Sequence, residues 1–148
     1  MVEIRKVGVI GAGQMGSGIA HVCALGGFEV LLNDVSMERI QSGLASITGN
    51  MARQVSSGRI DEDERKAAID RIGPAEHLDA LGDVDLIIES ATENEQVKRK
   101  IFAQVCPLLR PDAMLATNTS SISITRLAAT TDRPERFIGI HFMNPVPL

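Results

Sequence analysis

Three groups of residues in this chain have the types and the spacing needed to hold a phosphate-bearing cofactor and to move a proton. A loop of the form Gly-x-Gly-x-x-Gly runs over residues 11–16, and an acid, Asp34, follows the next apolar run. Further on, a hydroxyl-rich segment at residues 118–121 precedes His141. Phosphates bind the backbone N–H groups at a helix start, and an imidazole can accept a proton near neutral pH. The sequence therefore predicts a nucleotide site with an acid–base residue beside it.

The three glycines of the loop have separate predicted roles. Gly11 permits the tight turn, Gly13 lets the backbone approach a pyrophosphate without a Cβ between them, and Gly16 lets the next helix pack closely on the strand. A strand before the loop and a helix after it favour this interpretation over a purely structural glycine turn. The residues predicted to bind the cofactor here are Gly11, Ala12, Gly13, Gln14, Met15 and Gly16.

Asp34 ends the second apolar run, close to the spacing expected for an acid that accepts hydrogen bonds from the adenosine ribose hydroxyls. A carboxylate at this place would repel a 2′-phosphate through like charge. The sequence therefore predicts NAD in preference to NADP. The alternative is that Asp34 only begins the turn to the next helix or caps it.

The apolar runs predict strands alternating with helices, and hence a mostly parallel sheet covered on both faces. Strands are predicted at residues 7–10, 29–32, 85–89, 114–117 and 136–142. Apolar stripes at helical spacing are Met15, Ile19, Val22 and Leu25, and later Val97, Ile101, Val105 and Leu108. A long helix capped by Ser36 and a charged helix at 61–72, ended by Gly73-Pro74, are expected to form a projecting hairpin. The predicted fold class is α/β, a Rossmann-type doubly wound sheet with this hairpin, in one domain over residues 1–148.

Polar residues follow the predicted strands at five places. These are the glycine loop, Asp34, Glu93-Asn94, residues 118–121 and His141. Ligands of an open parallel sheet bind beyond the carboxyl ends of its strands, so all five are expected at one edge. The site is predicted at that edge.

His141 differs from the other two histidines because it shares this edge with a hydroxyl-rich segment. His21 on the first helix and His77 in a loop are expected to be structural. Ser120 and Ser121 have no Ser-His-acid order or nucleophile elbow around them, which favours a positioning hydroxyl over a nucleophile.

Composition restricts the classes of partner. The 148 residues are 44% apolar and 23% charged, which is typical of soluble globular proteins. A net charge of −4 argues against nucleic acid or an anionic membrane as the main partner. Cys23 and Cys106 lie in apolar helical patterns and are expected to be free thiols in a reducing compartment, predicted here to be the cytoplasm. No transmembrane run, signal peptide or metal site is predicted.

Several motifs together resemble the short-chain L-3-hydroxyacyl-CoA dehydrogenases, including 3-hydroxybutyryl-CoA dehydrogenases. They lie at residues 10–16, at 88–94 with the trailing Lys98, at 117–121 and at 139–147. The resemblance implies NAD-dependent oxidation of a short-chain L-3-hydroxyacyl-CoA to the 3-oxoacyl-CoA, and the reverse reduction. His141 would be the general base and acid, and Ser120 would hydrogen-bond the reacting oxygen and approach the cofactor.

The resemblance also implies further ligands. Glu93, Lys98 and Asn144 match family positions that contact the cofactor, and Asp34 matches the ribose acid. Without the resemblance, Glu93 is an acid at a helix start, Lys98 lies on a solvated helix face and Asn144 caps a turn.

The family's hairpin often carries lysines that contact CoA phosphates, and this chain departs from that pattern. The corresponding residues here include Asn50, Arg53 and Ser57. These three, with Ser120, are the candidate contacts for the CoA substrate.

The end of the chain is a second departure. In the family, a glutamate beyond the histidine orients the imidazole, and a helical C-terminal domain supplies a catalytic asparagine and the homodimer interface. This chain ends at Leu148. We therefore expect an NAD-binding domain with little or no activity by itself. The alternatives are a non-catalytic NAD(H)-binding module and a dehydrogenase of a 3-hydroxy acid without CoA.

Overall fold

A six-stranded parallel sheet forms the centre of the protein in a computed structural model, which describes residues 3–142. The strands are β1 (Lys6–Ile10), β2 (Glu29–Asn33), β3 (Ile72–Pro74), β4 (Leu86–Glu89), β5 (Met114–Asn118) and β6 (Phe137–Ile140). Their order across the sheet is β3-β2-β1-β4-β5-β6, and every pairing is parallel. The strand order therefore reverses between β1 and β4, and the predicted doubly wound fold is confirmed.

Helices cover both faces of the sheet because successive residues of each strand point to opposite sides. Those helices are α1 (Gln14–Leu25), α2 (Met37–Ser56), α3 (Glu62–Asp70), α4 (Glu95–Val105) and α5 (Ile124–Ala128). On β4, Ile87 joins the core beneath α4 and α5, whereas Ile88 joins the core beneath α1, α2 and α3. Two apolar cores thus sandwich one sheet.

The helical hairpin predicted after β2 is confirmed as α2 and α3, and local side chains begin both helices. The Ser36 hydroxyl accepts a hydrogen bond from the Arg39 amide at 3.3 Å, as its predicted cap position requires. Asp61 and Glu64 form a capping box at the start of α3. Ile47 and Met51 of α2 are buried in the same core as β1 and β2.

The third strand is a correction to the sequence-based prediction. Residue Ile72 was assigned to the end of a helix and Gly73-Pro74 to its stop, but β3 pairs with β2, Val30 against Ile72. A Gly-Pro pair reads locally as a breaker, yet an edge strand tolerates proline because its outer side needs no ladder hydrogen bond. Only the pairing with β2 shows that these residues form an edge strand and not the stop of a helix.

The predicted apolar stripes of α1 and α4 are partly wrong. Val22 is 38% exposed and Val97 is 43% exposed, whereas His21 and Lys98 are fully buried. On α1 the buried face consists largely of small residues four apart, Gly16, Ala20 and Ala24, which let the helix lie close to the sheet. The small size of these residues, rather than their hydropathy, thus determines which face of α1 is buried.

Within residues 3–142 no helix combines the length and the apolar character needed to cross a membrane.

Candidate functional site

The glycine loop joins β1 to α1 and is closely packed at two of its glycines. Gly11 has a φ of +112°, and a Cβ there would lie 2.5 Å from the Ser90 carbonyl oxygen. A Cβ on Gly16 would lie 1.7 Å from the Gly11 carbonyl oxygen. A Cβ on Gly13, in contrast, would meet no described heavy atom within 4 Å. The loop is therefore packed on its protein side and open at its second glycine.

The first turn of α1 fits an anionic ligand. Its N-cap is Gly13, which supplies no side-chain cap, and the first turn holds no acidic residue. The N–H groups and the positive end of the helix dipole therefore face the open side of Gly13 without a competing carboxylate. This geometry fits the pyrophosphate of a dinucleotide.

A glycine of α2 also shapes this region. The hypothetical Cβ of Gly43 would lie 2.8 Å from the Ser17 hydroxyl oxygen and 2.9 Å from the Ala12 carbonyl oxygen. Since Gly43 is buried against the loop, it lets α2 approach the loop from the side opposite β1. Sequence reasoning missed this residue, because a single glycine inside a helical pattern carries no signal of its own.

Asp34 ties the end of β2 to the glycine loop. One carboxylate oxygen accepts a hydrogen bond from the Ala12 amide at 2.8 Å. The other accepts from the Val35 amide at 2.6 Å and pairs with Arg39 Nε at 3.2 Å. The contact with Val35 belongs to the predicted turn, while the contact with Ala12 places the acid beside the loop. These contacts agree with a role for Asp34 in the turn and place its carboxylate beside the loop, while a contact with a ribose stays a prediction.

Beside Asp34 lies a cavity of about 270 Å³ with largely apolar walls. Gly11 and Asp34 line it together with His77, Leu78 and Ile101, which sequence reasoning did not assign to the site. These residues come from four separate segments of the chain, so no local motif could have identified them. The cavity offers an apolar slot next to a carboxylate, which suits an adenosine.

Glu93 organises the hydroxyl-rich segment after β5. Its carboxylate accepts hydrogen bonds from the Thr119 hydroxyl at 2.8 Å and from the Ser121 hydroxyl at 3.0 Å. Ser120, between these two residues, is exposed. Glu93 thus bridges the segment after β4 to the segment after β5, and its two partners flank the predicted positioning hydroxyl.

His141 directly follows β6 and is exposed. In the register of the two parallel strands Asn118 pairs with Ile140, and the Thr119 amide donates to the Ile140 carbonyl at 3.3 Å. His141 therefore lies one residue past this register position, and Ser120 lies two residues past it. The structure places the two predicted catalytic residues at the same end of neighbouring strands.

Beneath this pair lies a buried polar cluster that sequence reasoning did not identify. Glu89 and Lys98 are each 0% exposed, and the Lys98 ammonium contacts Glu89 Oε1 at 2.5 Å. The same oxygen accepts a hydrogen bond from the Thr117 hydroxyl at 2.6 Å. The prediction of a solvated helix face for Lys98 is wrong. A direct cofactor contact of its ammonium also finds no support, because the ammonium is enclosed by protein.

A second cavity, of about 670 Å³, lies between the glycine loop and α2. Three of the candidate CoA contacts, Asn50, Arg53 and Ser57, line it, whereas Ser120 is not among its lining residues. Ser42, Ser46 and Arg59 also line it and were not predicted. The signal available for the two serines was a polar stripe at positions 42, 46 and 50 of α2, four residues apart.

His21 and Cys106 are buried, whereas Cys23 is half-buried. His21 Nε2 lies 2.7 Å from Gln54 Oε1, and burial lowers the pKa of His21 below its ordinary 6.5. Both cysteines are free, and burial raises the pKa of Cys106 to about 11. Their thiolate forms are thus disfavoured. Asn144, the remaining predicted cofactor ligand, lies outside the described residues.

Comparison with known proteins agrees with this arrangement. Residues 6–148 match the model of the family described as "3-hydroxyacyl-CoA dehydrogenase, NAD binding domain". The chain belongs to this family. Its cofactor is therefore NAD.

The relatives extend the comparison to individual proteins. The chain is 66% identical over 145 residues to a 3-hydroxybutyryl-CoA dehydrogenase of Bradyrhizobium diazoefficiens, covering 98% of this chain and 50% of the relative. The (S)-3-hydroxybutyryl-CoA dehydrogenase structure from Ralstonia eutropha superimposes with a TM-score of 0.95 at 43% identity, covering 99% of this chain and 52% of that one. The FadB2 structure from Mycobacterium tuberculosis gives 0.94 at 44% identity, with the same coverage. The chain spans about half the length of these relatives.

Proposed function

We propose that this domain takes part in the NAD-dependent oxidation of a short-chain L-3-hydroxyacyl-CoA, such as 3-hydroxybutyryl-CoA, and in the reverse reduction. The observation that carries the proposal is the common edge: the glycine loop, Asp34, Glu93, Ser120 and His141 all follow strands of one parallel sheet. A cofactor held by the loop at the switch point extends along this edge, toward the histidine.

His141 acts as the general base in the oxidation and as the general acid in the reduction. In the oxidation the imidazole would take the proton of the 3-hydroxyl, and bound NAD would supply the acceptor for the hydride from the same carbon. Ser120 hydrogen-bonds the reacting oxygen, and in the reduction it stabilises the charge that develops there. The exposed positions of both side chains leave them accessible to a substrate.

The two cavities supply the binding functions. Asp34 and the smaller cavity hold the adenosine half of NAD, and the loop with the start of α1 holds the pyrophosphate. Glu93 contacts the cofactor, as the resemblance implies. Asn50, Arg53 and Ser57 hold the CoA portion of the substrate in the larger cavity, where Arg53 and Arg59 provide positive charge for its phosphates.

The test separates cofactor binding from turnover. NADH binding is measured by fluorescence in the chain and in His141→Ala, and reduction of acetoacetyl-CoA is then assayed with and without the C-terminal half of the Bradyrhizobium relative. We expect equal NADH binding in both proteins, and turnover that falls about a hundredfold or more in the variant. Absence of NADH binding contradicts the proposal. Binding without turnover, even with the added domain, supports a non-catalytic NAD(H)-binding module instead.

Competition with free CoA tests the substrate class. If the larger cavity holds CoA, free CoA displaces acetoacetyl-CoA, and Arg53→Ala weakens that competition about tenfold. Failure of CoA to compete favours a 3-hydroxy acid without CoA. We further propose a cytoplasmic location, where the two free thiols stay reduced, and homodimerisation through the C-terminal domain that the resemblance implies.

A further inference from the structure

The buried Glu89–Lys98 pair connects three elements at the functional edge. Glu89 ends β4, Lys98 lies in the second turn of α4, and Thr117 of β5 donates to Glu89. The second Glu89 oxygen accepts a hydrogen bond from the Ala91 amide at 2.8 Å. The carboxylate is thus held by an ammonium, a hydroxyl and a backbone amide. Glu89 and these three partners all lie within two residues of the carboxyl end of a strand or on the helix that follows.

Stability alone does not account for such a pair. Replacing a buried ion pair by apolar residues of similar volume is often neutral or stabilising, whereas its charges and hydrogen bonds define positions sharply. The position defined here is that of Asn118. The Lys98 ammonium donates to the Asn118 carbonyl oxygen at 3.2 Å, immediately before the hydroxyl-rich segment.

Asn118 in turn holds the segment that carries His141. Its side-chain carbonyl Oδ1 accepts a hydrogen bond from the Phe142 amide at 3.1 Å, and its Nδ2 donates to the Ser90 hydroxyl at 3.3 Å. Among the strands of residues 3–142, β6 lies at the edge of the sheet beside β5. The hydrogen bond from the Phe142 amide therefore attaches the chain to β5 beyond the end of β6, one residue after His141.

We infer that Asn118 is a positioning residue that determines the position of His141 relative to Ser120, and that the buried Glu89–Lys98 pair holds Asn118 in place. Ser120 follows Asn118 by two residues, and His141 precedes the Phe142 amide that Asn118 binds. Asn118 is therefore linked to Ser120 through the backbone and to the His141 segment through its side chain. The inference rests on the proposed function, because it concerns the positions of the two residues that are proposed to act on the substrate.

Three variants test Asn118. Asn118→Ala removes both side-chain contacts, Asn118→Asp keeps an oxygen acceptor for the Phe142 amide, and Ser90→Ala removes only the partner of Nδ2. The measurements are amide hydrogen exchange at Phe142, the imidazole NMR signals of His141 and the Kd for NADH. We expect exchange to be about fivefold faster or more in Asn118→Ala, with shifted His141 signals, and near wild type in the other two.

The NADH measurement distinguishes this inference from the proposed function. A Kd for NADH within about twofold of the wild-type value in all three variants shows that the proposed cofactor-binding residues are intact. Unchanged exchange and unchanged His141 signals in Asn118→Ala overturn the inference, as does an equal change in Ser90→Ala. Failure of the unaltered chain to bind NADH contradicts the proposed function instead. If Asn118→Ala does not fold, Asn118→Ser replaces it, since serine also lacks Oδ1.

The ion pair is tested with both charges removed together, in Glu89→Gln/Lys98→Met, because a single substitution leaves a buried charge unpaired. We expect a folded protein whose Phe142 exchange and His141 signals move in the same direction as in Asn118→Ala, but less. If they stay at wild-type values while Asn118→Ala changes them, the role assigned to the ion pair is overturned.

Discussion

The glycine loop and the His141 segment lie at the same edge of the sheet but are held in different ways. The loop follows β1, which has a strand on each side, and its shape depends on backbone that leaves no room for a Cβ at Gly11 and Gly16. The His141 segment follows the edge strand β6 and is held by a side chain, Asn118. The shape of the loop is therefore set by steric exclusion, whereas the position of the His141 segment depends on individual hydrogen bonds.

Gly16→Ala is the harshest test of this comparison. Its new Cβ would lie 1.7 Å from the Gly11 carbonyl oxygen, so the loop or α1 must shift. Overpacking of this kind destabilises by about 3 kcal/mol or more, and NADH binding is lost with it. Denaturant unfolding with a matched NADH titration measures both. Near-native stability and affinity would show that the loop is more adaptable than its packing indicates.

Gly13→Ala sharpens the same comparison, because its Cβ meets no described atom within 4 Å. We expect stability within about 1 kcal/mol of wild type, since the site is open. The methyl group nevertheless occupies the approach to the pyrophosphate, so NADH affinity falls about tenfold or more. The pair of variants separates packing from ligand access. Equal loss of stability in both would contradict that separation.

Asp34→Asn tests whether charge or shape at the end of β2 selects the cofactor. Asparagine keeps an acceptor for the Ala12 amide but loses the negative charge. NADH binding weakens about tenfold, and NADPH binding weakens less or improves, because the like-charge repulsion is removed. Calorimetry with both cofactors gives the ratio. Glu38→Gln, which removes an acid from the first turn of α2, is the control and leaves the ratio unchanged.

The smallest expected effect is the pH dependence of stability that His21 causes; His21 packs against Gln54 of α2. Its pKa is lowered in the folded protein by burial, so the unfolded chain binds the proton more readily. Stability is therefore full above the unfolded value of 6.5 and declines as the pH falls below it, by at most about 1.4 kcal/mol per pH unit. Denaturant unfolding between pH 8 and 5, compared with His21→Gln, measures this; an unchanged slope in the variant contradicts it.

Much of the fold was predictable because local patterns and tertiary structure agree. The β-branched run before Gly11, the Ser36 cap and the acid after β2 each have a local signal, and they lie in the structure where the sequence predicts them. The third strand was missed because Ile72–Pro74 is short and becomes a strand only by pairing with β2. The prediction that Val22 and Val97 lie on buried helix faces is wrong. Hydropathy does not show that α1 packs through its own small residues, or that α4 buries Lys98 against Glu89.

The sequence alone predicts the class of fold and the glycine loop with its acid, because a strand, a glycine turn and a helix are local structures with local causes. It also predicts His141 as a candidate acid–base residue at a strand end, whereas the pairing of Ser120 with His141 is implied by the family resemblance. Only the tertiary structure decided that Lys98 is buried against Glu89 and that Asn118 binds the Phe142 amide. These contacts join residues far apart in the chain, and a lysine on a helix carries no local signal of the carboxylate it will meet.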